Sequence, residues 1–372
     1  MVRNQLYAKL LPPSASGVRG TATIWHAVAR VIFNFAFSCF IPYSETKYYL
    51  CRVENIGKDL DLAANYLREG KCVGIPTETV YGLAANAFDS VAVASVFRIK
   101  NRPSFDPLIL HVNSLEKVQS LISHFPTKAQ ILAERFWPGP LTMVLPKASH
   151  VPYDVTSGLE TVGVRIPNHP LTLELLSKLN FPLAAPSANP FGYVSPTSAQ
   201  HVADSLGDKP AYILDGGSCE RGIESTIIGF ENDEPVLYRL GSLAVNEIEE
   251  AIGPIQRKLN TSSNPQAPGQ LKMHYAPKVK LLNVSVEEAL QNYPLDRVGQ
   301  ISLQESSSKL LDKNCLILSE SGDLYEAAHN LFASLRNLDS LDIDVAVFEY
   351  LEDAGIGAAI NDRLRRASAK SH

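Results

Sequence analysis

Cys72–Val73–Gly74–Ile75–Pro76–Thr77–Glu78–Thr79–Val80–Tyr81–Gly82–Leu83 is the stretch whose reading decides the fold. Cys72 to Pro76 is short, apolar and closed by a proline, so it reads as a buried strand. The polar turn behind it lies just past a strand end, where α/β proteins place their ligand sites. Two threonine hydroxyls and a tyrosine beside Gly82 offer hydrogen bonds where the backbone can be approached closely. An ordinary turn with a capping threonine has the same composition, so the neighbouring sequence has to decide. Upstream, Leu60, Ala63, Ala64 and Leu67 fall at helical spacing within Asp59 to Glu69. Downstream, Asp89 or Ser90 caps a helix carrying Val91, Ala94, Val96 and Phe97, which Pro103 ends. Leu108 to Val112 is the next strand.

The alternation continues to residue 252. Helices are expected over 115–122, 128–136, 171–179, 198–205 and 245–252. Strands are expected over 141–145, 161–166, 211–214, 225–229 and 236–240, with an apolar run at 182–185. Interleaved strands and helices give an α/β class with a mixed, twisted sheet. Residues 253–278 then change character: Pro254, Asn260, Ser262, Ser263, Asn264, Pro265, Pro268, Gly269 and Pro277 favour loops over packed elements. A stretch of that length reads as an interdomain linker. Beyond it, a strand at 315–318, a helix striped by Leu324, Ala327, Ala328, Leu331, Leu335 and Leu338, a strand at 343–348 and a basic helix at 358–367 make a smaller Rossmann-like α/β unit. The Gly355–Ile356–Gly357–Ala358–Ala359–Ile360 run lacks the third glycine of a dinucleotide fingerprint and reads as a tight turn feeding a helix. The expected organisation is an extension over 1–54, a catalytic domain over 55–252, a linker or lid over 253–278 and a C-terminal domain over 279–372.

Composition sets the outer limits. The chain has 372 residues, 45% of them hydrophobic and 20% charged, with a net charge of −5. Coating nucleic acid needs a broad excess of Lys and Arg, so this balance argues for weak or no direct nucleic-acid binding. The five cysteines, Cys39, Cys51, Cys72, Cys219 and Cys315, are scattered. They fit small apolar fillers in a reducing cytoplasm rather than a disulfide framework or a zinc site. Up to Ser44 the chain carries Arg3, Lys9, Arg19 and Arg30 and no acid. Ile24 to Ile41 is too short and too interrupted, by His26, Arg30 and Asn34, to span a membrane. Three readings stand for this leader: an extension without function on a cytoplasmic protein, an upstream start codon chosen in error, or an organelle transit peptide.

Several polar groups interrupt the apolar pattern at strand ends. Lys100–Asn101–Arg102–Pro103 closes a helix, where cations either complement the helix dipole or serve a polyphosphate from a rigid loop. Asp106 and His111 follow. Arg165 interrupts the strand beginning at Thr161, and an inward arginine must be paired, by a ligand carboxylate or by a protein salt bridge. Ala184–Ala185–Pro186–Ser187–Ala188–Asn189–Pro190 places Ser187 and Asn189 among small residues, with Ser195 shortly after. Glu224–Ser225–Thr226 and Arg239 complete the set. Nucleophile-elbow, Walker, kinase-loop and zinc spacings do not occur. A site rich in Lys, Arg, Ser and Thr suits positioning and charge neutralisation, as in adenylyl transfer.

Pro76 to Leu83, Lys100 to Arg102, Ser187 to Asn189 and Glu224–Ser225–Thr226 resemble the YrdC-like domain of the L-threonylcarbamoyladenylate synthase family. Leu324 to Ala367, with Asn361–Asp362–Arg363–Leu364–Arg365–Arg366–Ala367, resembles the family's two-domain form. The resemblance covers roughly residues 55 to 368. It implies that L-threonine, bicarbonate and ATP give threonylcarbamoyl-AMP and pyrophosphate, with magnesium accompanying ATP. It further implies that a tRNA-modifying threonylcarbamoyl transferase complex uses the product on the adenosine beside the anticodon. By the same resemblance Thr79, His111, Arg165, Ala185 and Ser225 hold threonine. Lys100, Arg102, Asp106, Thr161, Ser187, Asn189, Ser195 and Arg239 hold ATP, with Lys100 and Arg102 catalytic. On this reading Arg165 grips the threonine carboxylate with two parallel bonds. The linker stretch ending His274–Tyr275–Ala276–Pro277 folds over the site with His274 near the nucleotide. Asp106 stands where the family commonly has Asn, and Arg102→Ala is expected to remove turnover and leave the fold intact. Two other readings compete: carbamoyl transfer in hydrogenase maturation, whose extra cysteine pairs are absent from this sequence, and a double-stranded RNA-binding module without turnover.

Overall fold

The computed structural model describes residues 55–259 and 274–369. The expected leader and the middle of the expected linker lie outside the described residues. The larger part runs β1 (Ile56–Gly57), α1 (Leu60–Arg68), β2 (Val73–Ile75), β3 (Gly82–Asn86), α2 (Ser90–Lys100) and β4 (Ile109–His111). It continues through α3 (Leu115–Leu121), α4 (Thr127–Phe136), β5 (Leu141–Pro146), α5 (Tyr153–Thr156), β6 (Thr161–Arg165) and α6 (Pro170–Ser177). Next come β7 (Leu183–Ala184), α7 (Ala199–Leu206), β8 (Tyr212–Leu214), β9 (Thr226–Glu231), β10 (Glu234–Arg239), α8 (Val245–Ile252) and β11 (Gln256–Arg257). Among the described residues these strands form one 11-stranded sheet in the order β1-β8-β2-β3-β7-β4-β6-β5-β9-β10-β11. The sheet is mixed: β4 and β6 are parallel, whereas β3–β7, β7–β4 and β5–β6 are antiparallel.

Side-chain caps set the helix starts. Asp59 accepts from the Leu62 amide, Asp89 from Val91 and Ala92, and Ser198 from His201, each satisfying amides that the first turn leaves open. The helix that Pro103 was expected to end stops earlier. Asn101 adopts a left-handed conformation (φ 53°), which asparagine tolerates, and so turns Arg102 back toward the sheet.

The smaller part contains β12 (Lys280–Leu282), α9 (Val286–Leu290), β13 (Val298–Ser302), β14 (Cys315–Ile317), α10 (Leu324–Leu338), β15 (Val345–Phe348) and α11 (Gly355–Ser368). Its four strands are all parallel, in the order β12-β15-β13-β14. The Rossmann-like expectation therefore holds, and Gly355 (φ 53°) is the turn feeding α11. One apolar cluster runs from Leu110 and Val164 of the large sheet through Tyr275 to Phe332, Leu335 and Ile360 of the small part, so the two parts share a core.

Several elements escaped the sequence reading. The sequence offers no strand signal for Gly82–Asn86, of which Gly82 and Leu83 belong to the expected polar turn. This stretch is instead a buried strand of small residues, whose weak β-propensity gives no signal and whose place is set by packing between β2 and β7. Within the first residues of the expected linker, Gln256–Arg257 pairs in parallel with β10. β1, β12 and β13 are short or weakly patterned and were missed, as was the one-turn helix α5.

Phe332 is fully buried and stacks on Tyr275 with ring centroids 5.3 Å apart. Phe332→Ala should cost about 3–5 kcal/mol of unfolding free energy, measured by denaturant titration. A loss under about 1 kcal/mol would show that this junction is not part of the cooperative core.

Candidate active site

Backbone pairing assembles the site. Leu83 N–H donates to the Pro186 carbonyl (2.7 Å), Ala188 N–H to Tyr81 (2.8 Å) and Ala185 N–H to Ile109 (3.1 Å). The Pro76–Leu83 segment, the 185–188 segment and β4 are thereby stitched side by side. Gly82 sits at the crossing, where a Cβ would approach the Ala185 methyl to 3.2 Å. These segments wall a cavity of about 50 Å³ that opens to solvent. Thr79, Arg102, His111, Arg165, Ala185, Ser187, Ser225, Arg239 and His274 all line it. The sequence reading thus named much of the wall. It did not assign Thr77, Val80, Gly82, Ile109, Pro186, Glu224 or Tyr275, although all of these but Ile109 stand inside motifs it quoted.

The remaining expected residues are not in the wall. Lys100 is buried beneath it, where its ammonium donates to the carbonyls of Ser187 and Asn189 (2.6 Å to the latter). Burial first, then Arg102, pulls its pKa well below the usual lysine range. Asn189 donates to the carbonyls of Pro190 and Tyr193 and so holds the same loop. The Ser195 hydroxyl is spent on Glu224, 2.6 Å away. Thr161 opens β6 at the end away from Arg165, roughly 13 Å distant at strand rise.

Each buried guanidinium has a protein acceptor. Arg102 donates from Nε to the Asp106 carbonyl and from Nη2 to that of Pro107, and Nη2 lies 3.0 Å from the Asp106 carboxylate. Asp106 thus faces Arg102, and burial pushes its pKa up against the pull of that arginine. Arg165 donates from Nε to the Gly139 carbonyl (3.2 Å), and its Nη2 lies 2.7 Å from Glu78 Oε1. Both ion pairs are close without the alignment of a hydrogen bond, so they are charge contacts first. Of the two partners left open for Arg165, the structure supplies the protein salt bridge. With Nε and Nη2 engaged, Nη1 is the nitrogen left to the cavity, which weakens the expected two-bond grip on a ligand. Arg239 donates from Nη2 to the Ser225 carbonyl (2.9 Å) and hydroxyl (3.1 Å), while Ser225 also bonds Thr142 (2.8 Å).

The threonine pair is polarised. Thr77 Oγ1 donates to the Val80 carbonyl (2.7 Å) and lies 2.8 Å from Thr79 Oγ1. With the Thr77 proton already used, Thr79 donates to Thr77 and turns its lone pairs to the cavity. From the small part, Arg363 is fully buried, donates from Nη2 to Glu224 Oε2 (3.0 Å), and lies over Tyr275. Arg336 donates to the carbonyls of Val194 and Ser195. Tyr275 is held at φ 65°, an unfavourable backbone for a bulky residue, by Phe332 on one side and His274 on the other.

Comparison with known proteins fits this geometry. A family model described as "Telomere recombination" matches residues 65–241, and one described as "Threonylcarbamoyl-AMP synthase, C-terminal domain" matches residues 243–369. The chain is 42% identical to threonylcarbamoyl-AMP synthase of Pyrococcus abyssi, covering 82% of this chain and 93% of that protein. The chain belongs to the threonylcarbamoyl-AMP synthase family. Members of this family are nucleotidyltransferase-type enzymes. The Bacillus subtilis member is 39% identical over 82% of this chain and 92% of its own length. The crystal structure of P. abyssi Sua5 complexed with L-threonine superimposes with a TM-score of 0.77 at 39% identity, covering 85% of this chain and 98% of that one. Among the described residues no helix is long and apolar enough to cross a membrane.

Two cavity histidines are held neutral. Burial first, then Arg165, pushes His111 down to about 3. Burial, followed by Lys100, Arg102, Arg366 and Arg239, pushes His274 well below 6.5. The folded protein therefore resists protons that the unfolded chain accepts. The stability these groups contribute is complete above about 6.5 and is lost as pH falls toward 3 for His111. Thermal midpoints recorded from pH 7.5 down to pH 5 should fall for the wild type and fall less steeply for His111→Gln. Equal slopes would mean that His111 is not buried neutral.

Proposed function

We propose that this cavity joins L-threonine, bicarbonate and ATP into threonylcarbamoyl-AMP with release of pyrophosphate, for threonylcarbamoyl modification of tRNA. One observation carries the reading: a single cavity sets Thr79, His111, Arg165 and Ser225 beside Arg102, Ser187, Arg239 and His274. The first group suits a small hydroxyl-bearing amino acid, and the second suits phosphates. That a P. abyssi family member was crystallised with L-threonine supports the amino-acid side. In this reading residues 55–252 are the catalytic domain and 279–372 the C-terminal domain, with 253–278 closing over the nucleotide.

The reaction runs in two steps. The threonine amine adds to bicarbonate carbon, and water leaves, giving an N-carboxylate. One oxygen of that carboxylate attacks the α-phosphorus of ATP, the bond to the β-phosphate oxygen breaks, and pyrophosphate departs. Arg165 Nη1 binds the threonine carboxylate, and Thr79, with its lone pairs outward, receives a donor from the amino acid. Arg102 and Arg239 face the charge that develops on the leaving pyrophosphate. Lys100 and Asn189 hold the Ser187 loop at the distance this requires, so their part is positioning. His111 is neutral at working pH and so adds no positive charge that would repel the incoming ammonium form of threonine.

Magnesium expected with ATP finds no carboxylate cage of its own. No cluster of three metal-binding side chains occurs among the described residues. Of the carboxylates at the site, Asp106 faces Arg102, Glu78 faces Arg165, and Glu224 is taken by Ser195 and Arg363. Magnesium is therefore written as part of the nucleotide substrate, held by its phosphates, and no step is assigned to it. The product passes to a transferase complex in the cytoplasm.

Pyrophosphate release from ATP should require both threonine and bicarbonate; release that persists when either is omitted would exclude this reaction. Arg102→Ala should abolish turnover. Contrary to the sequence expectation, it should not leave stability untouched, because Asp106 loses its buried counter-charge at a cost of about 3–5 kcal/mol. Arg102→Ala combined with Asp106→Asn should melt closer to wild type and remain inactive. Recovery of activity in the double variant would remove Arg102 from the phosphate site.

A further inference from the structure

Glu78 stands one residue from two cavity-lining threonines yet does not line the cavity itself. Both of its carboxylate oxygens are shut off from solvent and lack hydrogen bonds, and the Arg165 guanidinium is the charge beside them, at 2.7 Å. Its backbone is fixed as well, because the Arg221 amide donates to the Glu78 carbonyl at 2.7 Å. A ligand in the cavity therefore meets Arg165 and not Glu78, but it feels the charge of both. The pair is neutral before anything binds.

We propose that Glu78 is a specificity-determining residue that makes the amino-acid end of the cavity accept a zwitterion in preference to a simple carboxylate. The inference rests on reading that end of the cavity as an amino-acid site. A carboxylate anion placed against this neutral buried pair meets no net charge from it, so the pair does little to offset the loss of the anion's own hydration. A zwitterion brings no net charge. Its carboxylate meets Arg165 Nη1, and its ammonium finds the lone pairs that Thr79 turns outward because its own proton goes to Thr77. Without the Glu78 charge the same end would be cationic and would welcome any small anion, including inorganic ones abundant in cells. The discrimination works by making the wrong ligand unfavourable, with no contact added for the right one.

The test uses the full-length chain and compares L-threonine with 2,3-dihydroxybutyrate, which replaces the ammonium by a hydroxyl. Dissociation constants for both are measured by calorimetry at pH 7.5. The wild type should prefer threonine by at least about tenfold. Glu78→Gln should reduce that preference by about tenfold or more, mainly by tightening the hydroxy acid, whereas Glu78→Asp should keep it. A merely structural role would weaken both ligands together, and an unchanged ratio in Glu78→Gln would overturn the proposal. Should Glu78→Gln not fold, the wild type still decides: displacement of threonine by an equal concentration of dihydroxybutyrate refutes the zwitterion preference, and its absence upholds it. Failure of the wild type to bind threonine at all would instead strike the reaction assigned above.

Discussion

Gathering several guanidinium groups in one dry cavity is possible only where each is compensated from within the protein. In the wall, Arg102 faces Asp106, Arg165 faces Glu78 and Arg239 is held by the Ser225 carbonyl and hydroxyl. Away from the wall, Arg363 faces Glu224 and Arg366 faces Asp362. Much of the site's positive charge is thus held in pairs whose carboxylates lie behind the wall or are already engaged. Such pairs add little net stability, since the attraction roughly repays the desolvation of both ions. What they supply is orientation. A guanidinium held at two nitrogens presents its third in one direction, and the substrate then meets a fixed group instead of a mobile side chain.

The elements that bring these pairs together were unevenly legible in the sequence. Thr79, Arg102, His111, Ser187 and Ser225 could be found because each sits in a short contiguous motif at a strand end, and strand ends show through apolar runs. Helices such as Leu324–Leu338 showed because their apolar stripe is long. β3 did not show, since Gly82–Asn86 is glycine and alanine packed by neighbours on both sides, and nothing in its composition distinguishes strand from turn. The roles of Lys100, Asn189 and Ser195 also had no sequence signal. A lysine aimed at phosphate and a lysine aimed at two carbonyls are the same residue; only the fold of the 185–195 loop decides between them. The Arg165 partner was left open between ligand and protein for the same reason, because Glu78 becomes its neighbour only when β6 and the Pro76–Leu83 turn are placed side by side.

The small sheet illustrates a different limit. Its parallel strands and helices were expected as a small Rossmann-like α/β unit, and the secondary structure agrees with that class. What periodicity could not convey is that α10 and α11 reach into the catalytic wall. Arg336 holds the carbonyls of Val194 and Ser195, and Arg363 holds Glu224 beside Ser225. Residues contributing to one buried network are therefore supplied by both sheets, with Tyr275 packed between them.

The separation between Glu224 and Arg363 along the chain, 139 residues, has a consequence for biosynthesis. At ribosomal speeds the arginine emerges on the order of 10 s after the glutamate. Once β11 has followed, the large sheet has all its strands available, while the carboxylate beside Ser225 still lacks its counter-ion. Closing the sheet tightly over it before then would bury a charge without its counter-ion, which is costly. Completion of this buried network thereby depends on α11, which carries Arg363 and follows the whole large sheet along the chain.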